Sequence, residues 1–297
     1  MKFITKWWRL LRPHTLTASI MPVLIGTALA FEKAKIDWRL FGAMLAASIL
    51  IQAAVNMFNE YFDFKRGLDT EESVGIGGVI VRNEISGQVV LKTAVLFFLI
   101  SIFLGTYICA QTNWWVAAAG SLSMVVGYLY SGSKSPIAYT PFGELTAGIF
   151  MGFTIVLIAF YIQARTITWS SVILSLPISI LVAAILLANN IRDAVGDEKK
   201  GRRTLAIMLG KSRATTVLNA MFVSTFAIVV IIVLFKGESP WILISFVSLP
   251  NAVRSIKIFR KKHTSAEMML AMKNTSVLHS KFGILFTIGI ILGRVLA

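Results

Sequence analysis

Two oxygen-rich clusters hold the residues of this chain best suited to chemistry. The first contains Asn59, Asp63 and Asp69, with Asn56 and Glu60 in the same stretch. The second contains Asn189, Asp193 and Asp197, within the charge-dense run 189–203. Helical residues four apart share a face, so Asn59 falls beside Asp63, and Asn189, Asp193 and Asp197 form one stripe. Asp69 cannot join that face on an unbroken helix, and Gly67 is the expected point at which the chain turns back. Carboxylate and amide oxygens without histidine or cysteine suit a hard cation, magnesium rather than zinc. Magnesium takes few protein carboxylates and shares its shell with substrate phosphates. Arg192, Lys199, Arg202 and Arg203 flank the second cluster and can add charge-assisted hydrogen bonds to those phosphates. One acid at a helix end is ordinarily interfacial dressing; two asparagine-led clusters near lipid call for a function.

The elements that must position these clusters follow from composition. Of 297 residues, 56% are hydrophobic and only 14% charged, with mean hydropathy +0.76. Apolar runs of about 17–25 residues recur, the length that crosses a bilayer as helix. Helices satisfy their own backbone hydrogen bonds in lipid, so the expectation is an all-α, multi-span transmembrane bundle. About nine spans are expected, near 16–31, 40–62, 89–110, 114–130, 143–161, 172–191, 214–235, 241–258 and 282–296. The first is expected to be a mature span and not a cleaved signal, because many like it follow. Residues 1–15, with Trp7, Trp8 and Leu10 among Lys6, Arg9 and Arg12, have the make-up of an amphipathic interfacial segment. The whole chain, 1–297, is expected to be a single integral-membrane domain. Gly105, Gly120, Gly148 and Gly152 are candidates for close helix contact, and Met268, Met269 and Met272 for a surface helix.

With the N-terminus inside, 23 of the 29 Lys and Arg residues fall on the cytoplasmic side, which obeys the positive-inside rule. Both clusters then face the cytoplasm, in a multi-pass protein of the cell membrane. The net charge of +15 is accounted for by orientation, and nucleic acid is not an expected partner. The single cysteine, Cys109, excludes an internal disulfide.

On these motifs the chain resembles the UbiA superfamily of intramembrane prenyltransferases, which carries two asparagine-led aspartate motifs after its second and sixth spans. Asn59-x-x-x-Asp63 with Asp69 matches the first, and Asn189-x-x-x-Asp193-x-x-x-Asp197 the second. The longer interval from Asp63 to Asp69 is similar to the 1,4-dihydroxy-2-naphthoate polyprenyltransferase branch. So are Arg12-Pro13-His14-Thr15-Leu16, the stretch 136–144, and Gly201-Arg202-Arg203-Thr204-Leu205-Ala206. Glu60 departs from that branch, which usually has aspartate there.

The resemblance implies two magnesium ions held by Asp63, Asp69, Asp193 and Asp197 with Asn59 and Asn189, bridging the diphosphate of an allylic polyprenyl diphosphate. Arg82, Lys134, Arg192 and Lys65 or Arg66 would complete the diphosphate clamp. It implies transfer to 1,4-dihydroxy-2-naphthoate at the carbon bearing the carboxylate, with loss of carbon dioxide, in menaquinone biosynthesis. Arg12 would bind the acceptor carboxylate, Tyr130 and Tyr139 would face the allylic cation, and Glu144 would act on a ring hydroxyl. Topological charge, interfacial anchoring and helix capping are the respective alternatives. Another acceptor such as 4-hydroxybenzoate would leave the ion chemistry unchanged. An ion-coupled transporter is the remoter alternative, because its acids would belong at the midplane of broken helices.

Overall fold

The computed structural model describes residues 3–68 and 78–296. All regular structure among them is helical. In order come α1 (Phe3–Leu11), α2 (Pro13–Ala30), α3 (Trp38–Lys65), α4 (Gly87–Gln111) and α5 (Trp115–Gly132). A 3-10 turn (Ile137–Tyr139), α6 (Gly143–Ala147), a π-helical segment (Gly148–Phe153) and α7 (Thr154–Ala164) follow. Then come α8 (Trp169–Lys199), α9 (Leu205–Lys236), a 3-10 helix (Pro240–Ser248), α10 (Leu249–Lys261) and α11 (Ser265–Val295).

Local chemistry sets these boundaries. Arg12, at φ 50, ends α1, and Pro13 begins α2 with its φ already suited to a first helical position. Thr168 with Ser171 and Thr264 with Glu267 form capping boxes that start α8 and α11. Gly237, at φ 68, closes α9.

Among the described residues seven helices are long and apolar enough to cross a membrane, or eight if the bent pair of α1 and α2 forms one span. The protein is a multi-pass membrane protein. The count falls just below nine because α5, though helical where a span was expected, is diluted by Gly, Ser and Tyr. The last span also differs from expectation. Instead of a surface helix followed by a span at 282–296, α11 runs unbroken for 31 residues, with Met268 and Met272 buried. Lys273, Ser276, Ser280 and Lys281 interrupt the hydropathy there, yet none of them breaks a helix.

The chain forms two compact units. Unit 1 comprises residues 1–16 and 42–139. Its core joins Leu10 of α1, Ala54, Met57 and Phe58 of α3, Val79 and Ile80 of the following turn, and Val90 and Ala94 of α4. Arg9 pairs with Glu84 and Lys6 Nζ donates to the Glu84 carbonyl, which pins the amphipathic α1 to that turn. Outward residues of α4 such as Leu99 and Phe103 stay exposed, as lipid contact requires.

Unit 2 comprises residues 17–41 and 140–297. Its core is built from Ile25, Phe160, Ile178, Leu181, Phe222, Phe282 and Phe286. Small residues set helix spacing at its centre: a Cβ on Gly152 would overlap the Ser179 backbone, and one on Gly148 would meet the Ser179 carbonyl at 3.1 Å. Gly105 and Gly120, expected to do the same, have nothing within 4 Å of an added Cβ. Glycine in an apolar helix thus marks contact only where another backbone arrives. Gly152→Ala should lower stability of the detergent-solubilised protein by about 1–3 kcal/mol through overpacking. Gly105→Ala should leave the melting temperature unchanged or raised, as measured by a thermal-shift or size-exclusion melting assay.

Candidate functional site

Each unit carries one of the two clusters. In unit 1, α3 presents Asn56, Asn59, Glu60 and Asp63 within one polar stripe, and the partners that reach them divide them into two pairs. Asn59 and Asp63 form one pair, and the Asn59 amide oxygen accepts from the Ser131 hydroxyl of α5. Leu68 N donates to the Asp63 carbonyl (2.9 Å) across the turn at Gly67, whose φ of 68 ends the helix. Asp69 lies outside the described residues. Lys65 is exposed at the helix end, and Lys134 is exposed after α5. Arg66 donates to the Ser133 carbonyl (2.7 Å), with its guanidinium 5.6 Å from the ring centroids of both Phe62 and Tyr139. Tyr139 therefore meets a cation of the protein itself. Tyr130 is half-buried in α5.

Asn56 and Glu60 form the other pair. Asn56 Nδ2 donates to the Leu11 carbonyl and the Thr15 hydroxyl, both at 2.9 Å. Glu60, with a fully buried side chain, accepts from Val79 N (2.6 Å) and Ile80 N (3.3 Å) and lies 3.6 Å from the Arg12 guanidinium. Arg82 sits in the same turn, its backbone N donating to the Gly78 carbonyl at 3.2 Å. The roles of Asn56 and Glu60 escaped the sequence reading, which grouped them with the metal-type oxygens; their four-residue spacing was the available signal. Aromatic rings beside the cluster were also missed. Phe58 and Phe62 pack edge-on against Tyr128 at 5.4 and 5.8 Å.

In unit 2 the second cluster ends α8. The spacing holds Asn189, Asp193 and Asp197 on one stripe, but each acid has its own arginine. Arg192 grips the adjacent Asp193 through two hydrogen bonds of 2.7 and 2.5 Å. It is held from behind by the sulfurs of Met269 and Met272, and its carbonyl accepts from Ser265 Oγ (2.8 Å). Arg202 lies 3.4 Å from the buried Asp197, beyond a helix end where Gly201 adopts φ 78. Asn190 Nδ2 donates to Glu144 Oε1 at 2.8 Å. Glu144 is buried, and its Oε2 has no hydrogen-bond partner.

Among the described residues no three of His, Cys, Asp and Glu converge as a ready-made cation cage. The donor set still fits a hard divalent ion that shares its shell with a ligand. Asn189 Oδ1 is shielded from solvent with no hydrogen-bond partner, on the stripe of two carboxylates. An unmatched buried oxygen there is what a ligand would satisfy. Removing the Asn190 amide leaves Glu144 Oε1 without that donor, at a cost of about 1–3 kcal/mol. Asn190→Ala should therefore lower the melting temperature, and a second substitution, Glu144→Met, should recover part of the loss in the same assay.

The UbiA prenyltransferase family model matches residues 19–294. The 1,4-dihydroxy-2-naphthoate octaprenyltransferase of Bacillus subtilis (strain 168) is 50% identical over 285 residues, covering 96% of this chain and 92% of that protein. The UbiA prenyltransferase domain-containing protein 1 homolog of Drosophila melanogaster is 30% identical, covering 94% of this chain and 77% of its own. Among solved structures, a UbiA homolog from Aeropyrum pernix K1 superposes with a TM-score of 0.71 at 16% identity, covering 94% of this chain and 98% of that one. One from Archaeoglobus fulgidus, bound to GPP and Mg2+, gives 0.68 at 17% identity, covering 96% of this chain and 99% of that one. With the family model spanning nearly all of its length, the chain belongs to the UbiA prenyltransferase family.

Proposed function

We propose that this chain transfers a polyprenyl group from an allylic polyprenyl diphosphate to 1,4-dihydroxy-2-naphthoate, with decarboxylation, in menaquinone biosynthesis. The observation that carries this is 50% identity across 96% of the chain to an enzyme named for that reaction. In this reading residues 1–297 work as one catalytic domain. The N-terminus and both motifs face the cytoplasm of the cell membrane, as the distribution of Lys and Arg supports.

Asp63 with Asn59, and Asp193 and Asp197 with Asn189, are the ligands proposed for two magnesium ions, with Asp69 added from the motif spacing. The bound ions would supply neutralisation of the charge that builds on the departing diphosphate. Lys65, Arg66, Arg82, Lys134 and Arg192 are assigned to the diphosphate oxygens, where charge-assisted hydrogen bonds are strongest. Arg192 reaches them by giving up the Asp193 carboxylate. The naphthoate ring forms its new bond at the carbon that carries the carboxylate, and the carbon–carboxylate bond breaks to release carbon dioxide. Arg12 is assigned to that carboxylate, Tyr130 and Tyr139 to the allylic end of the prenyl chain, and Glu144 to a ring hydroxyl.

Membranes containing the protein, supplied with magnesium and a polyprenyl diphosphate, should prenylate 1,4-dihydroxy-2-naphthoate, with the decarboxylated product detected by mass spectrometry. Product from 4-hydroxybenzoate and none from the naphthoate would overturn the acceptor assignment. Asp193→Ala and Asp197→Ala should each lower turnover by at least about 100-fold, as expected when transition-state charge stabilisation is lost, with an unchanged size-exclusion profile. Chelation should abolish activity and added magnesium restore it. Wild-type turnover in either variant would sink the metal assignment.

A further inference from the structure

Glu60 stands one residue beyond Asn59 and one turn before Asp63, within the same polar stripe of α3, yet its donors come from a separate turn of the chain. A carboxylate there, buried to 1% of its residue surface, is costly unless donors match it. Two donors come from the backbone. Gly78, at φ 89, turns the chain so that the next two amides, Val79 N and Ile80 N, both reach Oε1. Successive amides after a left-handed residue form an anion-binding nest, and Glu60 fills this one. The other oxygen, Oε2, faces the Arg12 guanidinium at 3.6 Å, at the break between α1 and α2.

The turn that Glu60 holds is tied tightly within itself. Arg82 N donates to Gly78 O, Asn83 N to Ile80 O, and Glu84 N to Val79 O, at 2.9–3.2 Å. Glu84 then takes Arg9 of α1, while Val79 and Ile80 are buried in the unit 1 core. The backbone turn that carries Arg82 is therefore held by a carboxylate on the motif helix. Arg12 is oriented by the same carboxylate.

We propose that Glu60 is a positioning residue. Through Oε1 it fixes the turn that presents Arg82 to the diphosphate, and through Oε2 it orients Arg12 for the acceptor carboxylate. This rests on the assignment of those two arginines under the proposed function. The two oxygens have separable jobs, which a purely structural carboxylate would not. Glu60→Gln keeps an oxygen for the Val79 and Ile80 amides but removes the charge facing Arg12. Glu60→Ala removes both.

Steady-state kinetics in proteoliposomes, with each substrate varied in turn, tests this. Glu60→Gln should raise KM for the naphthoate about 10-fold and leave KM for the diphosphate within about two-fold. Glu60→Ala should raise both. The double variants Glu60→Gln/Arg12→Ala and Glu60→Ala/Arg82→Ala should be no worse than the arginine variants alone, because a residue acting through another is not additive with it. Hydrogen exchange at the Val79 and Ile80 amides should stay slow in Glu60→Gln. That provides a readout independent of turnover, and a folded variant even if Glu60→Ala does not accumulate. Impaired arginine variants with additive double variants would overturn the positioning role alone. Unimpaired Arg12→Ala and Arg82→Ala would overturn the arginine assignments and the positioning role with them. Equal rises in both KM values for Glu60→Gln would reduce Glu60 to a structural carboxylate.

Discussion

A charge inside a lipid-solvated helix bundle must find a partner or leave, and that constraint shapes the polar chemistry of this protein. Glu60 meets two backbone amides and Arg12; Asp193 meets Arg192; Asp197 meets Arg202. At the α9 end of unit 2, Arg294 joins Glu32 (2.8 Å) and Glu238 (3.1 Å), with Ser170 donating to Glu238. Among the described residues several shielded oxygens lack a hydrogen-bond partner, and two of them, Asn189 Oδ1 and Glu144 Oε2, gather at the polar end of α8. They flank Asn190 in the chain and in hydrogen bonding, respectively, so the polar end of α8 holds unspent acceptor capacity.

How Glu144 reaches α8 is a matter of backbone spacing. The segment Gly148–Phe153 is π-helical, a geometry found mostly as local bulges at functional sites. Its two glycines bring it onto the Ser179 backbone of α8. Glu144 lies one turn before Gly148, and Asn190 lies eleven residues beyond Ser179, so the two elements run antiparallel and end with the carboxylate beside the amide. Side chains at Gly148 and Gly152 would push the elements apart, and the hydrogen bond at the far end would go with them. A packing choice in the apolar middle of the unit thus sets the geometry of a polar pair at its edge.

Hydropathy made the helices legible, because spans solvated by lipid announce themselves by length. Motif spacing likewise identified the polar ends of α3 and α8, since four-residue intervals have only one helical meaning. Other features were hidden for identifiable reasons. The continuity of α11 escaped because Lys273 and Lys281 lower hydropathy without breaking a helix. The difference between Gly105 and Gly152 escaped because it depends on which backbone lies opposite, and that is a long-range fact. The Arg192–Asp193 pair escaped because adjacent helical residues do not ordinarily face each other. Here α11 closes off the alternatives, with two methionine sulfurs behind the guanidinium.

The same limit appears inside the first cluster. Asn56 and Glu60 repeat the chemistry and the spacing of Asn59 and Asp63, three residues earlier. Nothing in type or interval separates the pairs, and both could be offered to a metal. What separates them is which donors arrive. Asn56 is taken by the Leu11 carbonyl and the Thr15 hydroxyl, and Glu60 by the amides of a turn about twenty residues later in sequence. Asn190 and Asn189 divide in the same way on α8, one committed to Glu144 and the other with its oxygen unmatched. In both helices the partners that commit Asn56, Glu60 and Asn190 come from chain segments outside the motifs, so the division between scaffold and site is decided there as much as by motif spacing.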